Sequence, residues 1–285
     1  MKKTIIKLVT FSTLLISCSS TKKIQKEEVN ILFIGNSLTY YNDMPQIIQK
    51  ILDTEKTKYK VSQSTYSGIS LTQHLNRKMK IITRNNIELL PLGFSDTSET
   101  VKLLLLKKWD FVVLQDGTVR LLIPEVKEQL VIPAIIDFKK KLKNTNTEFV
   151  LFKTWPTIDT FPKQHCYPKG IINIALEKDM CCSPIIKSIE DEVSLINYAY
   201  DTVALASNIP TVPITDCFME IIKNHPNINL YADKYSHPSI LGAYLNACVF
   251  YKFFTKQNAS EIKYRSGIDK KTAKIIQEVV DKYYH

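Results

Sequence analysis

Short apolar or alternating runs are separated along the chain by segments in which apolar residues recur every three to four positions. The runs predict five strands, at residues 31–34, 59–66, 109–117, 148–155 and 211–215. The helical spacing predicts helices after Pro45, from Leu71, before residue 107, and over 124–143, 185–208, 239–256 and 269–284. Strands that alternate with helices indicate an α/β fold of three layers, α/β/α, around a parallel sheet with right-handed crossovers.

The first residues are predicted to form a targeting segment that is not part of this fold. Three lysines precede the apolar run 8–16, which is too short to span a bilayer as a helix. The run ends Leu-Ile-Ser-Cys, which looks like a bacterial lipobox and predicts lipidation of Cys18; the alternative is an ordinary secretory signal. We therefore expect a signal peptide at 1–17, a lipidated flexible tether at 18–28 and one folded domain at 29–285, anchored to the membrane in the cell envelope.

The composition and the net charge of the chain limit the size of its hydrophobic core and the kinds of partner that it can bind. A chain of 285 residues with 45% hydrophobic composition can bury one substantial core. The net charge is +10, and removal of residues 1–17 takes away three lysines and no acidic residue, which leaves +7. The lysines are scattered and form no basic helix, so we expect no nucleic-acid partner. The charge favours solubility, or contact with acidic glycans and lipid headgroups.

The cysteines suggest one disulfide and no metal site. Outside the cytosol, Cys166 can pair with Cys181 or Cys182 and close a loop of about fifteen residues. Cys248 lies on an apolar helical face and is expected to be a buried thiol. No Cys-x-x-Cys pair or His–Cys spacing supports a metal site, and we expect no cofactor.

The end of the first predicted strand is the stretch most suggestive of chemistry. Its apolar run stops at Gly35, and Asn36 and Ser37 occupy the turn before a helix. This order places a serine hydroxyl at the carboxyl edge of the sheet, where open α/β folds bind their ligands. Backbone N–H groups of such a turn can face a developing oxyanion.

Three further polar positions fall at or after the carboxyl ends of later strands. They are Gly68, Gln115 and the segment 233–239, which reads Asp-Lys-Tyr-Ser-His-Pro-Ser. Ester hydrolysis by a serine requires a base for the hydroxyl proton, a group that orients the base, and donors for the oxyanion. These positions can supply each part.

Other residues at the same edge are predicted to shape a substrate pocket. Asp116 and Trp155 end strands there and, with Asn36, are expected to line the pocket; Trp155 is placed to stack on a sugar. The polar stretch 76–100 is expected to be an irregular excursion over this edge. The stretch 156–184 holds four prolines and three cysteines and is expected to be an insertion that shapes substrate access.

Taken together, these motifs resemble the SGNH, or GDSL-type, hydrolases. Residues 35–38 read Gly-Asn-Ser-Leu in place of the usual Gly-Asp-Ser-Leu, and 237–245 (His-Pro-Ser-x-x-Gly-x-Tyr-Leu) is similar to the last block of the family. Gly68 and Gln115 match the second and third blocks, so the likeness runs in order through nearly the whole mature sequence.

This resemblance implies a flavodoxin-like fold and a set of roles. Ser37 would be the nucleophile and His237 the general base. The N–H groups of Ser37 and Gly68, with the Gln115 side chain, would form the oxyanion hole. An acidic residue before His237, Asp233, would orient the imidazole.

Two departures from the family pattern leave an alternative open. The third block usually carries asparagine, and Gln115 is one methylene longer, although it still offers two N–H donors. The family's acid stands three residues before the histidine, whereas Asp233 stands four before His237 and Lys234 takes the third place. A loop can absorb one residue; if it does not, the site is a Ser–His dyad of lower rate.

Each of these residues also has a purely structural explanation. Ser37 can cap a helix, Gly68 can serve a turn, Gln115 can end a strand, and His237 can precede a helix that starts with proline. Their joint order along the chain favours the hydrolase. His74 has no partner spacing and is expected to be structural or exposed, and it follows Gly68 closely enough to lie near the site.

The resemblance therefore implies a serine esterase that removes an acyl group, often acetyl, from a carbohydrate or glycan, and the lipobox-like segment implies that this esterase is lipid-anchored. The alternative is a non-catalytic surface lipoprotein of the same fold that binds glycan, which the irregular spacing of Asp233 and His237 favours. A metal-dependent hydrolase is disfavoured because no His/Asp cluster has ligand spacing. The sequence leaves the oligomeric state and the side of the membrane open.

Overall fold

A parallel sheet of four strands forms the centre of the protein. In the computed structural model, the described residues are 28–143, 145–168, 179–234 and 236–284. The strands are β1 (Val29–Gly35), β2 (Tyr59–Thr65), β5 (Phe111–Leu114) and β6 (Glu148–Leu151). Their order across the sheet is β2-β1-β5-β6, and every neighbouring pair is parallel. The predicted α/β fold class is confirmed.

The predicted fifth strand is reduced to a single bridge. Thr211 pairs in parallel with Leu151, whose N–H donates to the Pro210 carbonyl oxygen at 2.9 Å. Pro210 and Pro213 have no N–H to donate, so a longer ladder cannot form on this segment. A helix then begins at Ile214, within the range predicted as strand.

Both faces of the sheet are buried, which explains the continuous apolar run of β1. Ile31 and Phe33 point into one hydrophobic cluster, and Leu32 and Ile34 point into the other. All four side chains are fully buried. Successive residues of a strand face opposite sides, so a strand covered on both sides contains no polar position in its centre.

One helical layer consists of four helices that share the cluster around Phe33. They are α2 (Met44–Leu52), α9 (Ile214–Asn224), α10 (Ile240–Thr255) and α11 (Lys270–Tyr283). The other layer comprises α3 (Leu71–Asn76), α4 (Glu99–Leu106), α5 (Thr118–Leu122), α6 (Pro124–Val126), a π-helical turn (Lys127–Val131), α7 (Ile132–Lys141) and α8 (Ile189–Ser207). A short helix, α1 (Ser37–Tyr40), follows β1 directly.

The stretch expected to be irregular is a hairpin. Residues 76–100 contain the antiparallel pair β3 (Arg77–Thr83) and β4 (Asn86–Pro91). Within β3, only the Met79 side chain is buried, so the hairpin contributes few apolar residues to the pattern that the sequence reveals. The tip of the hairpin contacts the end of α1, where the Tyr40 hydroxyl donates to Asn85 at 2.6 Å.

The insertion after β6 is held by a disulfide. Its described parts include two short antiparallel strands, β7 (Cys166–Pro168) and β8 (Met180–Cys182). Cys166 is bonded to Cys182, which selects one of the two predicted pairings. Cys181 and Cys248 are both buried, and the burial of Cys248 confirms that prediction.

The predicted signal peptide and the lipidation site Cys18 lie outside the described residues. Within the described ranges, none of the helices combines the length and the apolar character that a membrane span requires.

Candidate active site

The turn after β1 presents Ser37 as the first residue of α1. Asn36 caps this helix, because its side-chain oxygen accepts a hydrogen bond from the Leu38 N–H at 3.1 Å. The capping role that offered a structural explanation for Ser37 therefore belongs to its neighbour. The Ser37 side chain is left half-buried at the carboxyl edge of the sheet.

The Gln115 side chain lies beneath this turn and stabilises it through hydrogen bonds. The prediction that Gln115 donates to an oxyanion is wrong, because its amide is already bonded within the protein. Its side chain is fully buried, and its oxygen accepts from the Asn36 N–H at 2.8 Å and from the Thr39 hydroxyl at 2.9 Å. Its amide nitrogen donates back to the Asp116 carbonyl oxygen at 2.6 Å. The extra methylene lets the amide fold under the turn, where a Cβ on Gly35 would lie 2.6 Å from the glutamine oxygen.

The loop before α10 carries the histidine. The Ala232 N–H donates to the His237 carbonyl oxygen at 2.8 Å, and Tyr231 and Pro238 form an antiparallel bridge. Within this closed loop Ser236 has a φ of 68°. This left-handed residue directly precedes His237.

Three side chains on two distant segments form one hydrogen-bonded chain. Asp233 Oδ2 lies 2.6 Å from His237 Nδ1, and His237 Nε2 lies 2.9 Å from Ser37 Oγ. The second Asp233 oxygen accepts from the His237 N–H at 3.2 Å. A carboxylate at Nδ1 fixes the hydrogen there, so the lone pair of Nε2 is directed at the serine hydroxyl.

The hydrogen-bonded side chains of Asp233, His237 and Ser37 lie near the surface. The His237 side chain is 21% exposed and that of Asp233 is 30% exposed. Solvent therefore reaches the site, and a substrate can approach Ser37 without a large opening of the fold.

Gly68 lies on the loop after β2, beside the serine turn. It is exposed, has a φ of 64°, and a Cβ added there would meet no atom within 4 Å. The loop is joined to the turn by hydrogen bonds from Tyr66 N–H to Gly35 O at 3.3 Å and from Asn36 Nδ2 to Ile69 O at 3.3 Å. The structure thus places Gly68 next to the serine turn, with its backbone open to solvent.

Two residues predicted to line a pocket are buried instead. Trp155 is 1% exposed, stacks on Phe218 with ring centroids 4.5 Å apart, and donates from its indole N–H to the Ser236 carbonyl oxygen at 3.0 Å. No face of the indole is left for a sugar, so that prediction is wrong. Its contact with Ser236 supports the histidine loop.

Asp116 is also fully buried and does not line a pocket. Burial raises the pKa of its carboxyl, which the Arg120 guanidinium at 3.1 Å partly counteracts. Its two oxygens accept hydrogen bonds from the Gly117 and Leu71 N–H groups. Asn36, the third predicted pocket residue, is 7% exposed, and its contacts described above hold the turn.

His74 lies fully buried beneath the serine turn, so of the two alternatives it is structural and not exposed, and it lies near the site as expected. Its Nε2 lies 3.0 Å from the Gly35 carbonyl oxygen, and its Nδ1 lies 2.6 Å from the Thr100 hydroxyl. Burial lowers the pKa of His74 to about 4, against which the bond to Gly35 acts. The imidazole is therefore neutral at pH 7, with its hydrogen on Nε2.

Tyr41 is a further residue that the sequence did not point to. Its ring lies parallel to the His237 imidazole, with centroids 4.1 Å apart. No signal in the sequence pairs these two residues, since one follows the serine helix and the other belongs to the last loop.

The site is marked by the geometry of its side chains. No group of three His, Cys, Asp or Glu residues in the described part of the chain is placed to hold a metal ion. A surface depression of about 500 Å³ lies around Gln49 and Tyr59, at the amino end of β2 and opposite the serine edge. The chemistry is indicated by the geometry of the serine, histidine and aspartate alone.

Comparisons with known proteins establish the fold. No family model and no curated protein matches the chain. A solved DUF4886 family protein from Bacteroides uniformis is similar with a TM-score of 0.65 and 18% identity, over 90% of this chain and 94% of that one. A proposed SGNH hydrolase from Slackia heliotrinireducens is similar with a TM-score of 0.52 and 22% identity, over 80% and 99%. The chain thus has the fold of the SGNH hydrolases.

Proposed function

We propose that the protein is a serine esterase of the SGNH type, which cleaves an acyl ester through an acyl-enzyme on Ser37. The observation that carries the proposal is the hydrogen-bonded chain from Asp233 through His237 to Ser37, with contacts of 2.6 and 2.9 Å. A serine hydroxyl is a weak nucleophile until a base removes its proton, and the imidazole Nε2 is within the distance for that transfer.

In the acylation step, Ser37 Oγ bonds to the ester carbonyl carbon while its proton passes to His237 Nε2. Asp233 holds the hydrogen on Nδ1 and stabilises the imidazolium that forms. As the tetrahedral intermediate collapses, the bond to the alcohol oxygen breaks and the imidazolium returns the proton to that oxygen. A water then repeats the sequence on the acyl-enzyme, releasing the carboxylic acid and the free serine.

Backbone groups supply the oxyanion contacts in this proposal. Ser37 is the first residue of α1, so its N–H has no partner within the helix. Gly68 presents its backbone on the neighbouring loop, where its positive φ suits glycine. We assign these two N–H groups to the oxyanion and give Gln115 the role of fixing the turn that carries them.

The substrate class and location follow from the family resemblance and the N-terminal sequence. We propose an acyl group, in the first instance acetyl, on a carbohydrate or glycan, and an enzyme held in the cell envelope through a lipid on Cys18. The reaction as written uses only side chains and backbone of this chain and water. Hydrolysis of this kind needs no cofactor.

The alternative of a non-catalytic glycan-binding lipoprotein was favoured by the irregular spacing of Asp233 and His237. That argument loses its force, because the Asp233 carboxylate lies 2.6 Å from the imidazole Nδ1 in spite of the spacing. A protein that only binds glycan does not require Asp233, His237 and Ser37 to form one hydrogen-bonded series.

The test is hydrolysis of p-nitrophenyl acetate by the full-length chain, followed by a panel of acetylated sugars. Ser37→Ala should reduce the rate to background. Ser194→Ala, which removes an exposed hydroxyl on α8, should leave the rate unchanged. Equal activity of the wild type and Ser37→Ala would refute the assignment of the nucleophile, and an inactive wild type on every ester would favour the binder.

A further inference from the structure

Tyr41 covers one face of the histidine. The two rings are stacked, with centroids 4.1 Å apart and planes 7° from parallel. The Tyr41 side chain is half-buried, so the contact is not a consequence of packing in the core. A parallel stack at this distance restricts rotation of the imidazole about its side-chain bonds.

The segment that presents Tyr41 is held in an unusual backbone conformation. Asn42 and Asp43 have φ values of 51° and 54°, in the left-handed region that asparagine and aspartate adopt more readily than other residues with a side chain. The Asn42 amide donates to the Pro238 carbonyl oxygen at 2.7 Å, and Asp43 pairs with Arg84 at 3.1 Å. These two contacts hold the turn that follows Tyr41.

These contacts tie the segment to the histidine loop at two points. Asn42 binds the residue directly after His237, while Tyr41 lies on the ring itself. The position of the tyrosine relative to the histidine is therefore set by two contacts.

The face of a tyrosine ring carries negative charge density and attracts a cation placed over it. We propose that Tyr41 is a positioning residue of the esterase, which holds the plane of the His237 imidazole and stabilises the imidazolium formed when Ser37 gives up its proton. This inference rests on the proposed function. Among the described residues, Asp233 contacts the imidazole at Nδ1, Lys234 lies on the same loop, and Asp43, paired with Arg84, lies on the segment that follows Tyr41.

The test compares Tyr41→Leu with Tyr41→Phe in the full-length protein. The titration of the His237 imidazole is followed by NMR, with His237→Asn to assign the resonance, and the rate of p-nitrophenyl acetate hydrolysis is followed against pH. Loss of the ring destabilises the imidazolium, so Tyr41→Leu should lower the titration midpoint, and the acid limb of kcat/KM with it, by about half a pH unit. We expect kcat to fall about tenfold with KM within about twofold, and Tyr41→Phe to restore both.

Asn42→Gly serves as a second variant. Glycine can adopt the left-handed backbone conformation of Asn42, but it lacks the amide that donates to the Pro238 carbonyl oxygen. It should shift the midpoint in the same direction by a smaller amount. An unchanged midpoint in Tyr41→Leu, or a Tyr41→Phe variant as impaired as Tyr41→Leu, would overturn the inference. A wild type that hydrolyses no ester, with the midpoint shift intact, would count against the esterase and not against the stabilised imidazolium.

Discussion

His74 makes the stability of the protein depend on pH in a way that can be calculated from its surroundings. The imidazole is fully buried, and burial lowers its pKa from the usual 6.5 to about 4. In the unfolded chain the same group takes up a proton near pH 6.5, so the unfolded state binds more protons between pH 6.5 and 4. The stabilising effect of the neutral imidazole is therefore complete above pH 6.5 and is lost as the pH falls towards 4.

The size of this effect follows from the difference between the two pKa values. About 2.5 pKa units correspond to about 3 kcal/mol, of which about 2.5 kcal/mol is lost between pH 7.5 and 4.5. Urea denaturation at these two pH values, followed by the fluorescence of the buried Trp109 and Trp155, measures the loss. Carboxylates contribute to it as well, so the comparison with a variant isolates the histidine.

In His74→Gln, which removes the titrating group and keeps an amide that can donate to the Gly35 carbonyl oxygen, the loss between pH 7.5 and 4.5 should be smaller by about 2.5 kcal/mol. His225→Gln, at a half-buried position, serves as the control and should retain the full loss. If His74→Gln and the wild type lose the same free energy of unfolding over this range, the buried imidazole is not a source of the pH dependence.

Two other residues of the site give predictions of different kinds. Asp233→Asn removes the carboxylate at His237 Nδ1 and should lower kcat for p-nitrophenyl acetate by about 10²–10⁴-fold with little change in KM; a loss of less than about threefold would indicate a Ser–His dyad. Gln115→Leu leaves the Asn36 N–H and a threonine hydroxyl without a partner and should reduce the free energy of unfolding by about 3 kcal/mol. Gln46→Leu, on an exposed face of α2, should change it by less than about 0.5 kcal/mol; equal effects of the two would contradict the bracing role.

The parts of the fold that the sequence predicts are those where one local pattern decides the outcome. The run Ile31 to Ile34 has no polar position because both faces of β1 are buried, and such a run is typical of a central strand. The helices that end the chain were predicted to within about a residue because their apolar faces and caps are continuous in sequence. The β3–β4 hairpin was missed because its burial is slight.

Within the site, the sequence predicts which residues lie at the sheet edge better than it predicts where their side chains point. Polar residues at strand ends identified Ser37 and the histidine loop, since such residues meet at one edge of a parallel sheet. Whether a side chain at that edge points outward or folds under the turn depends on contacts with other segments, as with Gln115 and Trp155. The stack of Tyr41 on His237 joins segments that are remote in sequence, and no local pattern encodes it.

Covalent trapping shows directly whether Ser37 is a nucleophile activated by His237. The full-length protein is treated with a fluorophosphonate, and the site of labelling is identified by peptide mass spectrometry. We expect one adduct on Ser37 of the wild type, none in Ser37→Ala, and strongly slowed labelling in His237→Asn. Labelling at another serine, or no labelling of a wild type that hydrolyses esters, would show that Ser37 is not the activated nucleophile.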